Sequence, residues 1–213
     1  MQNNSVSVRQ PAWKLEKVQV PWQVLNTVPV GIWQPGDVIQ AAIGQSDNAF
    51  TPLQLATYCA TIANNGTRLK THLVKQVTNY NRDQVISETE PEVVAQVDIS
   101  EENLKTVQEA MKGVTQSGGT ANSVFGDYGI TIAAKTGTAE NPGHSDNVTF
   151  IAYAPYDDPE IAVAVVLEYG SRGTYSMNVA KDIFDAYFYG KTVDENGNLV
   201  MPEETNSSST ANE

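Results

Sequence analysis

From Thr51 onward the apolar positions fall into helical spacing. Leu53, Leu55, Ala56, Cys59, Ala60, Ile62 and Ala63 follow Thr51-Pro52, an N-cap and a first-turn proline, and the pattern stops at Asn64-Asn65-Gly66. This predicts a helix with one buried face, on which Cys59 is a core thiol rather than a reactive one. Residues 69–78 and 84–89 are β-rich runs around a polar turn at 79–83, and residues 93–99 form a third, so a small hairpin region is expected, with His72 on a strand face. Ser100 caps a second helix with Glu101 and Glu102 in its first turn, an apolar side of Leu104, Val107, Ala110 and Met111, and an end by Gly113. Residues 116–120, with Gly118-Gly119, read as a flexible connection into a short helical turn at 121–125.

The pattern then changes to three strands, at 130–138, 148–154 and 161–168. Their short links imply an antiparallel sheet. The third strand is apolar on both faces and needs cover on both, one side of it from a final helix at 176–189. The fold class is α/β, of the α+β type, an antiparallel sheet flanked by helices.

The flanks differ from this folded part, expected over 37–190. Residues 1–36 carry Pro11, Pro21, Pro29 and Pro35 with Trp13, Trp22 and Trp33 and hold no sustained period, which predicts an extended segment packed by its aromatics. Residues 191–213 are acidic and rich in Ser and Asn, which predicts a disordered tail.

Charge and composition narrow the chemistry. Among 213 residues, 25 acidic against 13 basic give a formal net charge of −12, which repels a phosphate backbone, so no nucleic-acid partner is expected. One cysteine and two histidines, without HExxH, argue against a metal site, and no cofactor is expected. The longest apolar run, 161–167, is far short of a membrane span, and the chain reads as soluble.

The triplet Lys135-Thr136-Gly137, followed by Thr138, ends a predicted strand. Gly137 lets a ligand backbone lie alongside that strand. Lys135 supplies a fixed positive charge for a carboxylate, Thr136 and Thr138 supply hydroxyls, and Thr138 supplies a backbone N–H for a developing oxyanion. Three residues alone are a weak signal. Serine acyl-transferases that carry this triplet also carry Ser-x-x-Lys and Ser-x-Asn, yet no serine here has a lysine three positions on. Ser-x-Asn occurs at 46–48, 145–147 and 176–178, where capping and turn roles account for it. GxGxxG, GxSxG and a phosphate loop are absent.

Two longer stretches carry a family likeness. One runs from Pro35-Gly36-Asp37 through Gly44-Gln45-Ser46 to Thr51-Pro52-Leu53-Gln54-Leu55-Ala56. The other joins Gly118-Gly119-Thr120-Ala121, Ala134-Lys135-Thr136-Gly137-Thr138-Ala139 and Phe150-Ile151-Ala152-Tyr153-Ala154-Pro155. Over about residues 35–190 the chain resembles the C-terminal part of the transpeptidase domain of class B penicillin-binding proteins, most closely the elongation type, penicillin-binding protein 2. A β-lactamase or a non-catalytic stem-peptide or β-lactam binder is the alternative reading.

The resemblance implies a penicillin-binding protein transpeptidase and β-lactamase-like fold, incomplete at its N-terminal side, because the serine nucleophile, its lysine and the Ser-x-Asn element lie upstream in the family. It implies Lys135 and Thr138 as catalytic groups and Lys135, Thr136, Gly137 and Thr138 as the substrate-binding wall. It further implies peptidoglycan stem peptide, β-lactams and the N-terminal part of the same domain as partners. The expected location is the extracytoplasmic face of a bacterial membrane, reached through an N-terminal anchor not in these residues. On this reading the chain alone is inactive.

Overall fold

The computed structural model describes residues 50–201 apart from Pro142, together with Ile39, Ile43 and Gln45. The expected extended segment at 1–36, the triplet at 46–48 and the end of the acidic tail lie outside these residues. Contacts divide the chain between Ala49 and Phe50, and every element below belongs to the second unit.

Helix α1 (Pro52–Ala63) begins with a reciprocal capping box: the Gln54 N–H donates to Thr51 Oγ1 and the Thr51 N–H to Gln54 Oε1. Asn65 and Gly66, both at positive φ, end it. Helix α2 (Glu101–Gly113) is capped by Ser100 Oγ, which accepts from the Asn103 N–H. Of its expected apolar side only Leu104 and Met111 are buried, and Val107 and Ala110 are exposed. The contact stripe is narrow, and Gln108 completes it by donating from Nε2 to the Ile62 carbonyl at 2.8 Å and to Asn65 Oδ1 at 3.1 Å. That pins α2 to the end of α1.

The run expected over 69–78 is broken. β1 (Thr67–Leu69) pairs with β4 (Val93–Gln96), and β2 (Gln76–Thr78) pairs with β3 (Val85–Glu88), both antiparallel and each with a register shift. Lys70 and Thr89 carry the pairing between them through backbone bonds to Glu92 and Lys75. His72 lies in the link between β1 and β2, exposed, and not on a strand.

The main sheet has the order β5-β6-β7, from β5 (Ala133–Ala139), β6 (Asn147–Ala154) and β7 (Ile161–Leu167), all antiparallel as expected. Alternation along the central strand sends its side chains into two cores. Phe150, Ala152 and Ala154 pack with Ala121, Phe125, Met177, Ala180 and Phe184 on one face. Ile151 and Tyr153 pack with Cys59, Ile62, Leu104 and Met111 on the other. The expected double cover is therefore present: α1 and α2 on one side, α3 (Asn122–Phe125) and α4 (Gly173–Tyr189) on the other.

Phe125 stacks on Phe150 with ring centroids 5.5 Å apart and meets Phe184 edge-on at 6.2 Å. These contacts add to the burial of three large side chains. Helix α4 starts three residues earlier than expected and ends at Gly190 in the left-handed region. Beyond it, β8 (Thr192–Val193) and β9 (Leu199–Val200) form a small antiparallel hairpin within the segment expected to be disordered.

Candidate active site

β5 forms one edge of the sheet, hydrogen-bonded only to β6 among the described residues. In an antiparallel pair the partner satisfies alternate backbone groups, so an edge strand turns the rest outward, where an extended ligand can pair with them. Lys135, Thr136, Gly137 and Thr138 occupy the middle of this edge, opposite Ile151, Phe150, Thr149 and Val148.

The register divides the four between two faces. Lys135 and Gly137 share the face of Ala133, toward α1 and α2, and Thr136 and Thr138 share that of Ala134, toward α3 and α4. A ligand along the edge meets the cation from one side and the hydroxyls from the other. Lys135 is exposed, and its Nζ donates to the Thr136 carbonyl at 2.6 Å. Among the described residues it has no carboxylate within ion-pair distance, whereas Lys70, Lys181 and Lys191 are all paired. A lysine held by one neutral carbonyl keeps its charge available to an incoming anion.

Gly137 is not demanded by the fold. A Cβ there would meet only Thr149 Cβ at 3.5 Å and its carbonyl at 3.7 Å, ordinary contact distances. Gly119 is the opposite case: a Cβ would lie 2.2 Å from the Val114 carbonyl oxygen. That close approach seats the 116–120 loop on the end of α2. The loop expected to be a flexible connection is tied by backbone bonds from Gly119 to Gln116 and from Ala121 to Val114, and Ala121 is fully buried. Nearby, Thr115 Oγ1 donates to the buried Ile132 carbonyl at 2.7 Å, which fixes the start of β5. The loop carries Thr120, whose Oγ1 lies 2.9 Å from Thr136 Oγ1. Sequence reasoning gave Thr120 no part in the site, although the Gly-Gly-Thr-Ala match contains it.

Other candidates are held by contacts of their own, although Asn147 pairs with Ala139 at the end of β5. Asp146 and Asn147, of the second Ser-x-Asn, hold the turn before β6 to the residues after β7: Asn147 Oδ1 accepts from the Tyr169 N–H and the Asp146 carbonyl from that of Ser171. Ser176 is buried, and its Oγ donates to the Gly173 carbonyl in the first turn of α4. Cys59 is fully buried, and desolvation pushes its thiol up to about 12, which makes it inert. A cleft of about 310 Å³ lined by Asn65, Lys105, Glu109 and Tyr156 lies at the end of the sheet remote from Thr138. There the Tyr156 hydroxyl donates to Glu109 and Lys112 sits over the Tyr156 ring. Among the described residues no group of three His, Cys, Asp or Glu side chains could hold a metal ion.

A three-stranded antiparallel sheet thus lies between helices, with Lys-Thr-Gly-Thr along its outer edge. The model of the penicillin binding protein transpeptidase domain matches residues 4–188, and the chain belongs to that family. The match begins well ahead of residue 35, where the likeness carried by the motifs starts. Penicillin-binding protein 2A of Bacillus subtilis is 37% identical over 172 residues, covering 72% of this chain and 24% of that protein. The peptidoglycan D,D-transpeptidase MrdA of Haemophilus influenzae is 30% identical over 175 residues, covering 73% and 26%. The solved imipenem acyl-enzyme complex of penicillin-binding protein A from M. tuberculosis superposes with a TM-score of 0.60 at 30% identity, covering 70% of this chain and 33% of that one. The chain spans about a quarter of the length of the curated relatives it matches.

Proposed function

We propose that this chain supplies the carboxylate-holding wall of a serine D,D-transpeptidase that cross-links peptidoglycan. The observation that supports it best is the outer edge of β5, where an exposed lysine without a carboxylate partner among the described residues sits beside two threonines and a glycine whose missing side chain the fold does not require.

In this reading a D-alanyl-D-alanine stem peptide, or a β-lactam in its place, lies along β5. Its carboxylate faces Lys135 and the hydroxyls of Thr136 and Thr138. The Thr138 N–H, with that of the nucleophilic serine, receives the oxyanion as the tetrahedral intermediate forms. The serine bonds to the acyl carbon and the terminal D-alanine leaves. An amine of a neighbouring stem peptide then takes the acyl group and releases the serine. Lys135 also contacts the Ser-x-Asn serine supplied by the upstream part of the domain. The reaction takes place at the extracytoplasmic face of the membrane. Among the described residues no helix is long and apolar enough to cross it.

The 213 residues contain no Ser-x-x-Lys, so acylation needs a serine from elsewhere in the protein. Fluorescent penicillin applied to this chain and to one extended upstream through Ser-x-x-Lys tests this. Covalent labelling is expected of the longer protein only. Stable labelling of the 213 residues alone would overturn the division of roles. Many turnovers of a chromogenic cephalosporin would point to a β-lactamase instead, and reversible binding without acylation of the longer protein would point to a binding module.

A further inference from the structure

Thr120 is exposed, yet its backbone is constrained on both sides. Gly118 holds φ at +82°, Gly119 has no room for a Cβ, and Ala121 is fully buried with its N–H on the Val114 carbonyl. Core packing accounts for Ala121 but not for Thr120, whose side chain reaches across to Thr136 at 2.9 Å. Neither hydroxyl oxygen has a further partner among the described residues.

Each threonine hydroxyl has one hydrogen and two lone pairs. If Thr136 gives its hydrogen to Thr120, none remains for a ligand. If Thr120 donates, the Thr136 oxygen is satisfied as an acceptor and its own hydrogen is released. A carboxylate only accepts, so its arrival at the edge of β5 selects the second arrangement. The two bonds then run in one direction and strengthen each other.

We infer that Thr120 is a positioning residue, which donates to Thr136 Oγ1 and so presents the Thr136 hydrogen to the carboxylate of the substrate. This rests on the reading of β5 as the carboxylate-holding wall. It assigns a task to the glycine-bounded loop: to hold one hydroxyl at a fixed distance behind the binding edge.

The test compares acylation of the full-length protein by benzylpenicillin and by its methyl ester, which lacks the charge. Thr120→Val should lower the ratio of acid to ester rate constants about tenfold, the scale of one hydrogen bond serving a charged group. Thr120→Ser, which keeps the donor, should restore that ratio. Thr120→Ala adds no bulk and should reproduce the valine result should valine disturb the loop, and thermal melting reports whether each variant is folded. Equal slowing of acid and ester would reveal a packing role and overturn the inference, as would no change in either. Failure of the unsubstituted protein to acylate at all would reject the functional reading itself and the inference with it.

Discussion

Asp185 shows how much of the fold one side chain can hold. Its buried carboxylate accepts from Lys181 and Lys191 at 2.8 Å and from the Tyr128 hydroxyl at 2.9 Å. Those bonds join α4, the residue after Gly190 and the turn before β5. Burial alone would raise this carboxyl, but the lysines and Tyr128 outweigh it and hold it below the ordinary 3.8. A carboxylate lowered on folding contributes stability that is complete above its unfolded value and lost as pH falls through the folded one. Asp185→Asn should therefore cost roughly 2–3 kcal/mol at pH 7, less than a fully enclosed pair because both lysines reach solvent. The gap from the unsubstituted protein should narrow as pH falls below 3.8. Urea unfolding at both pH values measures it, and the inert thiol of Cys59 gives an independent probe, since it reacts only when the core opens. An equal gap at both pH values would contradict this account of Asp185.

At the scale of elements, two glycines a short distance apart should behave in opposite ways. Gly119→Ala forces a Cβ against the Val114 carbonyl and should destabilise the unit by roughly 2–4 kcal/mol. Gly137→Ala meets only Thr149 at an ordinary distance, so its melting should stay within about 1 kcal/mol of the unsubstituted protein. The added methyl would nonetheless stand where a ligand approaches the edge of β5, and acylation of the full-length protein should fall. Loss of stability at Gly137, or its retention at Gly119, would show that the loop and the strand are built differently.

The capping signals and alternating runs make α1, α2 and the three strands of the main sheet legible from the amino acids alone, because each rests on local chemistry that packing reinforces. What stays hidden depends on partners far away in sequence. The break between β1 and β2 is set by pairing with residues near 90. The narrow buried stripe of α2 is set by Gln108 reaching Ile62. The Thr120 contact joins residues sixteen apart, and no periodicity announces it. Lys135 to Thr138 stand out by motif and resemblance, and only the pairing of β5 with β6 divides them between the two faces of an edge strand.

For the molecule as a whole, the two edges of the main sheet have different futures. β5 carries polar and charged residues suited to a ligand. β7, the opposite edge, is Ile161–Leu167, without a charge along its length and hydrogen-bonded only to β6 among the described residues. An unguarded apolar edge invites pairing with other chains. The 213 residues in isolation should therefore associate at micromolar concentration, as measured by sedimentation velocity, and a monodisperse monomer with a cooperative melt would argue that the edge is covered.

The most direct test of the central claim is the second-order rate constant for acylation of the full-length protein by benzylpenicillin, with and without Lys135→Ala. A cation that holds the ligand carboxylate at the edge of β5 and supports charge development should be worth about a hundredfold, with the fold intact by thermal melting. A rate constant within about twofold of the unsubstituted protein would contradict it.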